Sequence, residues 1–219
     1  MNKELKLSDV IQYIKDGDKI MVGGFGLIGT PLKLIEELAN SEVKNLTIIS
    51  NNLGEQGKGL GKLVLNGQVK KAVGSFFTSN KDVVNAYKNK EIEVQLLPQG
   101  TLSEAIRAGG AGIPGFFVPA AAGTQLSKDK EEKIFEGKTY ILERSLNADV
   151  AFIKAHKADK LGNLVYEKSA RNFNPIMASA AKLVIVEVDE VVEVGELSPE
   201  EIATPHLYVD YYVVKGARE

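Results

Sequence analysis

Three short stretches combine residue types able to hold and polarise a carbonyl or an oxyanion: Gly23-Gly24-Phe25-Gly26 with Gly29, Ser50-Asn51-Asn52, and Pro98-Gln99-Gly100. Each follows an apolar run with strand character. In an open parallel sheet, all three would therefore lie beyond the carboxyl ends of strands, where loops meet helix N-termini and ligands bind. Together they offer amide donors and bare backbone, but no acid, base or nucleophile. Such donors suit an oxyanion or a carbonyl oxygen, although singly Asn and Gln also end strands as turn formers. Arg107, followed by Gly109 and Gly110, either holds a carboxylate or phosphate or complements the dipole of a helix's last turn.

The richest of these signals runs from Asp16 to Pro31, where an apolar strand enters a Gly-rich turn with a helix start behind it. Glycines accept positive φ and leave room where a Cβ would collide, so bare backbone is expected to approach a ligand here. A tight strand-to-helix turn accounts for two of the four glycines without any ligand. Thr30 and Pro31 read as N-cap and first residue of the following helix.

The elements that must position these residues alternate between strand and helix. Ser8 reads as the cap of a helix carrying Val10, Ile11 and Ile14, followed by a buried strand Lys19 to Val22. Leu32, Ile35 and Leu38 mark the next helix face, and Leu46 to Ile49 the next strand. Strands are expected over Val69 to Phe77 and Glu93 to Leu97, with a helix at Val83, Val84 and Tyr87 between them and another from Leu102 to Ala108. Gly109 to Gly115 and Pro119 to Gly123 read as loops, and the charged stretch Lys128 to Lys133 as a solvated one. Further strands are expected at Lys138 to Leu142, Val150 to His156, Leu164 to Tyr166 and Leu183 to Val188, with a hairpin turn at Asp159 to Asn163. Asn174-Pro175 opens a helix through Ala181, and Ser198-Pro199-Glu200-Glu201 fits a capping box. Phe116 to Val118 and the run from Leu207 to Val214 are either contact surface or core strands. Successive βα units imply an α/β fold, with an open, mainly parallel, partly mixed sheet covered by helices on both faces. One domain over residues 1–219 is expected.

Composition narrows the function classes. The formal charge of −2 provides no basic surface for nucleic acid. With no cysteine in the chain, disulfides, thiolate metal sites and a cysteine nucleophile are excluded. His156 and His206 are the only histidines and lie far apart, so no metal centre is expected. The N-terminus lacks the apolar core of a signal peptide, and no apolar run approaches the ~20 residues of a membrane span. The chain therefore reads as cytoplasmic.

The stretch from Asp16 to Pro31 resembles the signature of the alpha subunit of family I CoA-transferases: Asp-Gly, two residues, three apolar residues, Gly-Gly-Phe, three residues, Gly, one residue, Pro. The resemblance continues through Ser50-Asn51-Asn52, Pro98-Gln99-Gly100-Thr101-Leu102, Ile106 to Gly112 and Lys157-Ala158-Asp159, and on through Lys168-Ser169-Ala170-Arg171-Asn172-Phe173-Asn174-Pro175. It implies the CoA-transferase and ribose-phosphate isomerase fold class. It also implies exchange of CoA between carboxylic acids through a glutamate, a covalent route via an anhydride and a glutamyl-CoA thioester. In that family the glutamate belongs to a Ser-Glu-Asn-Gly motif on the beta subunit or on the C-terminal half of fused enzymes, and no such motif occurs here. Glu55, Glu143 and Glu167 lie in unrelated contexts and read as surface carboxylates.

The resemblance thus implies half an enzyme, completed by a beta subunit in a heterodimer or heterotetramer. Coenzyme A would enter as substrate, with no permanently bound cofactor. Gln99 would supply the oxyanion-hole amide, Gly24-Phe25-Gly26 would line the thioester path, and Asn51 and Asn52 would help to position the acyl group. Asn51-Asn52-Leu53-Gly54 is more similar to the 3-oxoacid enzymes than to the short-chain fatty-acid enzymes, which favours acetoacetate with succinyl-CoA over acetate or butyrate. Ala120-Ala121-Ala122 departs from a more polar segment in relatives and bears on acyl specificity. A sugar-phosphate isomerase of the same fold class should carry Asp-Gly-x-Asp-Glu and Lys-Gly-Gly-Gly, which are absent. A non-catalytic acyl-CoA-binding protein is the remaining alternative.

Overall fold

The computed structural model describes residues 3–216. Seven strands form one parallel array: β1 (Lys19–Val22), β2 (Leu46–Ile49), β3 (Val69–Gly74), β4 (Glu93–Leu96), β8 (Ala148–Asp159), β10 (Ala181–Val192) and β11 (Tyr211–Val214). Their order is β11-β10-β8-β1-β2-β3-β4, and the short β9 (Leu164–Val165) turns back antiparallel on β8. Ile20 stands opposite both Ile48 of β2 and Val150 of β8, which places β1 at the centre. A separate antiparallel sheet has the order β5 (Gly115–Val118), β7 (Lys138–Arg144), β6 (Glu132–Phe135).

Alternation along the strands divides the apolar side chains between two faces. Ile20, Val22, Ile48 and Phe152 pack with α1 (Leu32–Ala39), α2 (Gly61–Leu65) and α3 (Lys81–Lys88). Met21, Ile49, Val73 and Ile153 pack on the other side with α4 (Gln99–Gly110) and α5 (Asn174–Ala178). The α/β expectation, a mainly parallel sheet between helical layers, is the observed architecture.

Several local expectations are corrected. Leu7–Tyr13 is a 3-10 helix, and the Ser8 hydroxyl donates to the Asp9 carboxylate (3.5 Å) instead of capping. Thr30 does not cap α1: it is buried, and its Oγ1 donates to Gly26 O (3.2 Å). Pro31 takes the cap position with no side-chain bond, and Leu32 is exposed while Leu34, Ile35 and Leu38 are buried. Gly109 and Gly110 belong to α4. A Cβ at Gly109 would stand 2.0 Å from Leu146 O and one at Gly110 2.3 Å from Ser179 Oγ, so these glycines let the helix lie close to its neighbours.

Gly115 to Val118 is a strand because β7 pairs with it, and Glu132-Lys133 begins β6 instead of a loop. Glu143 is buried, not on the surface, and Lys130 Nζ meets its Oε1 at 2.6 Å. The helix at Asn174 ends at Ala178 because Ala181 already pairs with Ala148. Ser198 precedes a single 3-10 turn, Pro199–Glu201, without capping it. Of the two apolar runs, Tyr212 and Val213 are core strand, Leu207 and Tyr208 are exposed, and Phe116 to Val118 are half-buried in the small sheet. Helix α2 was not anticipated.

Candidate functional site

The carboxyl ends of β1, β2, β3 and β4 are adjacent in the sheet, so their following loops meet at one rim. A groove of about 550 Å³ opens there, lined by Phe25, Gly26, Asn51, Asn52, Gly54, Glu55, Ser75, Phe76, Ser79 and Gln99.

The loop after β1 is fixed by the segment before α5. Gly23 N–H donates to Phe152 O (2.9 Å), and a Cβ at Gly23 would lie 1.8 Å from Asn174 Oδ1. Asn174 is fully buried. Its Oδ1 accepts from Lys154 N–H (2.9 Å), and its Nδ2 donates to Gly29 O (3.0 Å) and Ala170 O (2.8 Å). Gly24 N–H donates to Asn172 Oδ1 (3.1 Å), and Phe25 and Ile28 exchange backbone bonds of 3.0 and 3.1 Å. A Cβ at Gly24 would meet Thr30 Oγ1 at 2.1 Å and one at Gly29 would meet Ala170 O at 2.4 Å. Close internal packing therefore excludes side chains at Gly23, Gly24 and Gly29. Gly26 alone among the four has open space around it and lines the groove. The tip presents Phe25 at 53% exposure and, beside it, Ile28.

Glu187 on β10, only 1% exposed, performs the capping that Thr30 does not. Its Oε2 accepts from Lys33 N–H (2.7 Å) and Leu34 N–H (3.4 Å) at the start of α1, while Lys154 Nζ lies 3.7 Å from Oε1. Burial pushes the Glu187 carboxyl above its ordinary range, opposed by those N–H groups and by Lys154. Glu187 and Asn174 were not singled out from sequence, because their partners lie far away along the chain.

Across the groove, Gln99 opens α4. This helix has no side-chain cap, so its first N–H groups and the positive end of its dipole face the rim. Asn51, 2% exposed, donates from Nδ2 to Gln99 Oε1 (2.7 Å) and to Ser75 Oγ (3.0 Å). Ser75 Oγ also donates to Gln99 Oε1. Asn52 donates to Asn51 Oδ1 (3.3 Å) and accepts from Gly54 N–H (2.9 Å). Gln99, Asn51 and Asn52 are thus brought together as one hydrogen-bonded unit facing Phe25 and Gly26. Gly100 stands beside them at the helix start, exposed and with open space around it.

Arg107 is not part of this group. Its eight-residue separation from Gln99 puts it about 12 Å along the helix, where its Nε and an Nη grip both oxygens of Glu104 at 2.8 and 2.7 Å. Of the carboxylates weighed from sequence, Glu55 lines the groove, exposed and 3.7 Å from Lys58. Glu167 is exposed beside Lys168. Ser75 and Phe76 were missed because the strand was expected to run through Phe77. Ending β3 at Gly74 makes Ser75 the residue just beyond a strand, the place where the other candidates were found.

The site can therefore hold an oxygen between amide donors and an uncapped helix end, under an apolar lip of Phe25 and Phe76. Among the described residues lining it, Glu55 is the only ionisable one. Among the described residues, no helix is long and apolar enough to cross a membrane.

The coenzyme A transferase family model matches residues 5–215. One subunit of a probable succinyl-CoA:3-ketoacid coenzyme A transferase from Bacillus subtilis is 49% identical over all of this chain and 92% of its own length. The alpha subunit of an acetate CoA-transferase from Escherichia coli K12 is 46% identical over 97% of this chain and 96% of its own. Among solved structures, an acyl-CoA transferase from Escherichia coli O157:H7 superposes with a TM-score of 0.88 at 23% identity. That match covers the whole of this chain and 48% of the larger one. Glutaconate coenzyme A-transferase from Acidaminococcus fermentans gives 0.83 at 20% identity, over 97% of this chain and 75% of its own. The fold seen here is theirs, and with the family match running nearly end to end, this chain belongs to the coenzyme A transferase family.

Proposed function

We propose that this chain is the alpha subunit of a hetero-oligomeric CoA-transferase that moves CoA between an acyl-CoA, such as succinyl-CoA, and a 3-oxoacid such as acetoacetate, in the cytoplasm. The observation that carries this reading is the groove in which Asn51 and Ser75 occupy the Gln99 carbonyl oxygen and leave its amide nitrogen as a donor. In each acyl-transfer step, a carbonyl oxygen gathers negative charge as a carboxylate or the released CoA thiolate attacks. Donors fixed before the reaction stabilise that charge at little reorganisation cost. Gln99 Nε2 and the start of α4 are such donors, and Phe25, Gly26 and Phe76 shield the path. The attacking glutamate comes from the beta subunit, through a glutamyl-CoA thioester. Coenzyme A is substrate, and no resident cofactor takes part.

The names of the relatives favour the 3-oxoacid reading, and the Escherichia coli relative supports acetate or another short-chain acid as a second acceptor class. Coexpression with a CoA-transferase beta chain, followed by a CoA-exchange assay over acetoacetate, acetate, butyrate and succinate, tests both. Exchange is expected only with the partner present. Exchange by this chain alone would overturn the assignment, and isomerisation of a sugar phosphate by the chain alone would point to the other chemistry of this fold class.

A further inference from the structure

We propose that Ser75 is a positioning residue for Gln99, holding its carbonyl oxygen so that the amide nitrogen faces the groove; this rests on the oxyanion reading above. An amide side chain is nearly symmetric in shape, and in isolation Gln99 could present either end. The network removes that choice. Gly54 N–H can only donate, so the Asn52 atom 2.9 Å from it is Oδ1, and Nδ2 of Asn52 faces Asn51. The Asn51 atom 3.3 Å away must then accept, which turns Nδ2 of Asn51 towards Ser75 (3.0 Å) and Gln99 (2.7 Å). Ser75 Oγ accepts that bond, and its own proton has two acceptors in reach, Gln99 Oε1 and Asn51 O (3.3 Å), of which Gln99 is the nearer. Gln99 Oε1 therefore receives two donors. Among the described residues, no protein acceptor takes Nε2.

Ser75 is half-buried just past the end of β3, whose neighbours β2 and β4 lead into Asn51 and Gln99. Without its hydroxyl, Asn51 is the only donor left on Gln99 Oε1, and rotation of the Gln99 side chain would bring its oxygen, a repelling group, to the reacting carbonyl.

The test is a double-mutant cycle in the complex assembled with the beta chain. Ser75→Ala is expected to lower kcat roughly tenfold, the weight of about one hydrogen bond, with KM for acyl-CoA nearly unchanged. Ser75→Thr should restore most of the rate, and Ser75→Cys, which fills the space but donates poorly, should share the deficit. In the Gln99→Ala background, Ser75→Ala should cost less than about twofold more, because its effect passes through Gln99. An equal cost in both backgrounds, or wild-type kcat in Ser75→Ala, overturns the positioning role alone. Wild-type turnover in Gln99→Ala overturns the oxyanion reading and the positioning role with it.

Discussion

The side-chain nitrogen of Asn51 lies 2.7 Å from the side-chain oxygen of Gln99. That contact decides which end of Gln99 a reacting carbonyl meets. Gln99→Ala, assayed with the beta chain present, should lower turnover at least roughly tenfold while the complex still assembles. Gln99→Glu should be slower still, because one carboxylate oxygen would take the Asn51 bond and the other would set negative charge against developing negative charge. Steady-state kinetics and gel filtration on both variants check this.

The glycines of the loop after β1 should separate by packing. Gly23→Ala places a methyl 1.8 Å from buried Asn174 Oδ1, and Gly29→Ala places one 2.4 Å from Ala170 O in a left-handed conformation. Each is expected to cost more than about 2 kcal/mol in urea unfolding. Gly26→Ala has open space and only its positive φ to resist it, so about 1 kcal/mol is expected.

Removing the cap from β10 should loosen α1. Glu187→Ala leaves the Lys33 and Leu34 N–H groups without their acceptor, and about 1–3 kcal/mol of stability should be lost. Because burial raises the Glu187 carboxyl above its ordinary 4.5, the folded chain holds this proton more tightly than the unfolded one. Its contribution to stability thus falls as pH rises from about that value. Glu187→Gln keeps an acceptor and should flatten this dependence in unfolding midpoints measured from pH 4 to 7.

Asp149 gives the opposite sign. The Lys182 ammonium (2.8 Å) and then the Lys19 N–H (3.0 Å) hold its carboxyl below the usual range despite partial burial. The contact stabilises the fold above the ordinary carboxylate range and is lost as pH falls through the folded value. Asp149→Asn should cost no more than about 1 kcal/mol at pH 7. The gap from wild type should shrink by pH 3.

The parallel sheet was legible because its buried strands are short apolar runs closed by turn residues. Lys19–Val22 and Leu46–Ile49 coincide with the expected bounds. The rim was legible for the same reason, since Asn51, Asn52 and Gln99 stand just past strand ends. What depended on distant contacts was not. The α1 cap comes from Glu187, 154 positions beyond Lys33, and local reading assigned it to Thr30. The glycines were identified as needing bare backbone, but the groups that a Cβ would meet at Gly23, Gly24 and Gly29, Asn174, Thr30 and Ala170, could not be named from local sequence. The pairing of Arg107 with Glu104 was not read from sequence, although the two stand three residues apart on one helix.

Asn172 and Asn174 fasten the loop between β1 and α1 along its length, and Glu187 secures the helix that follows. A backbone tied down at so many points has few alternative shapes to surrender when another surface closes over Phe25. A partner that docked at this lip would then meet a rigid backbone, with adjustment confined to the rotamers of Phe25, Ile28 and Phe76.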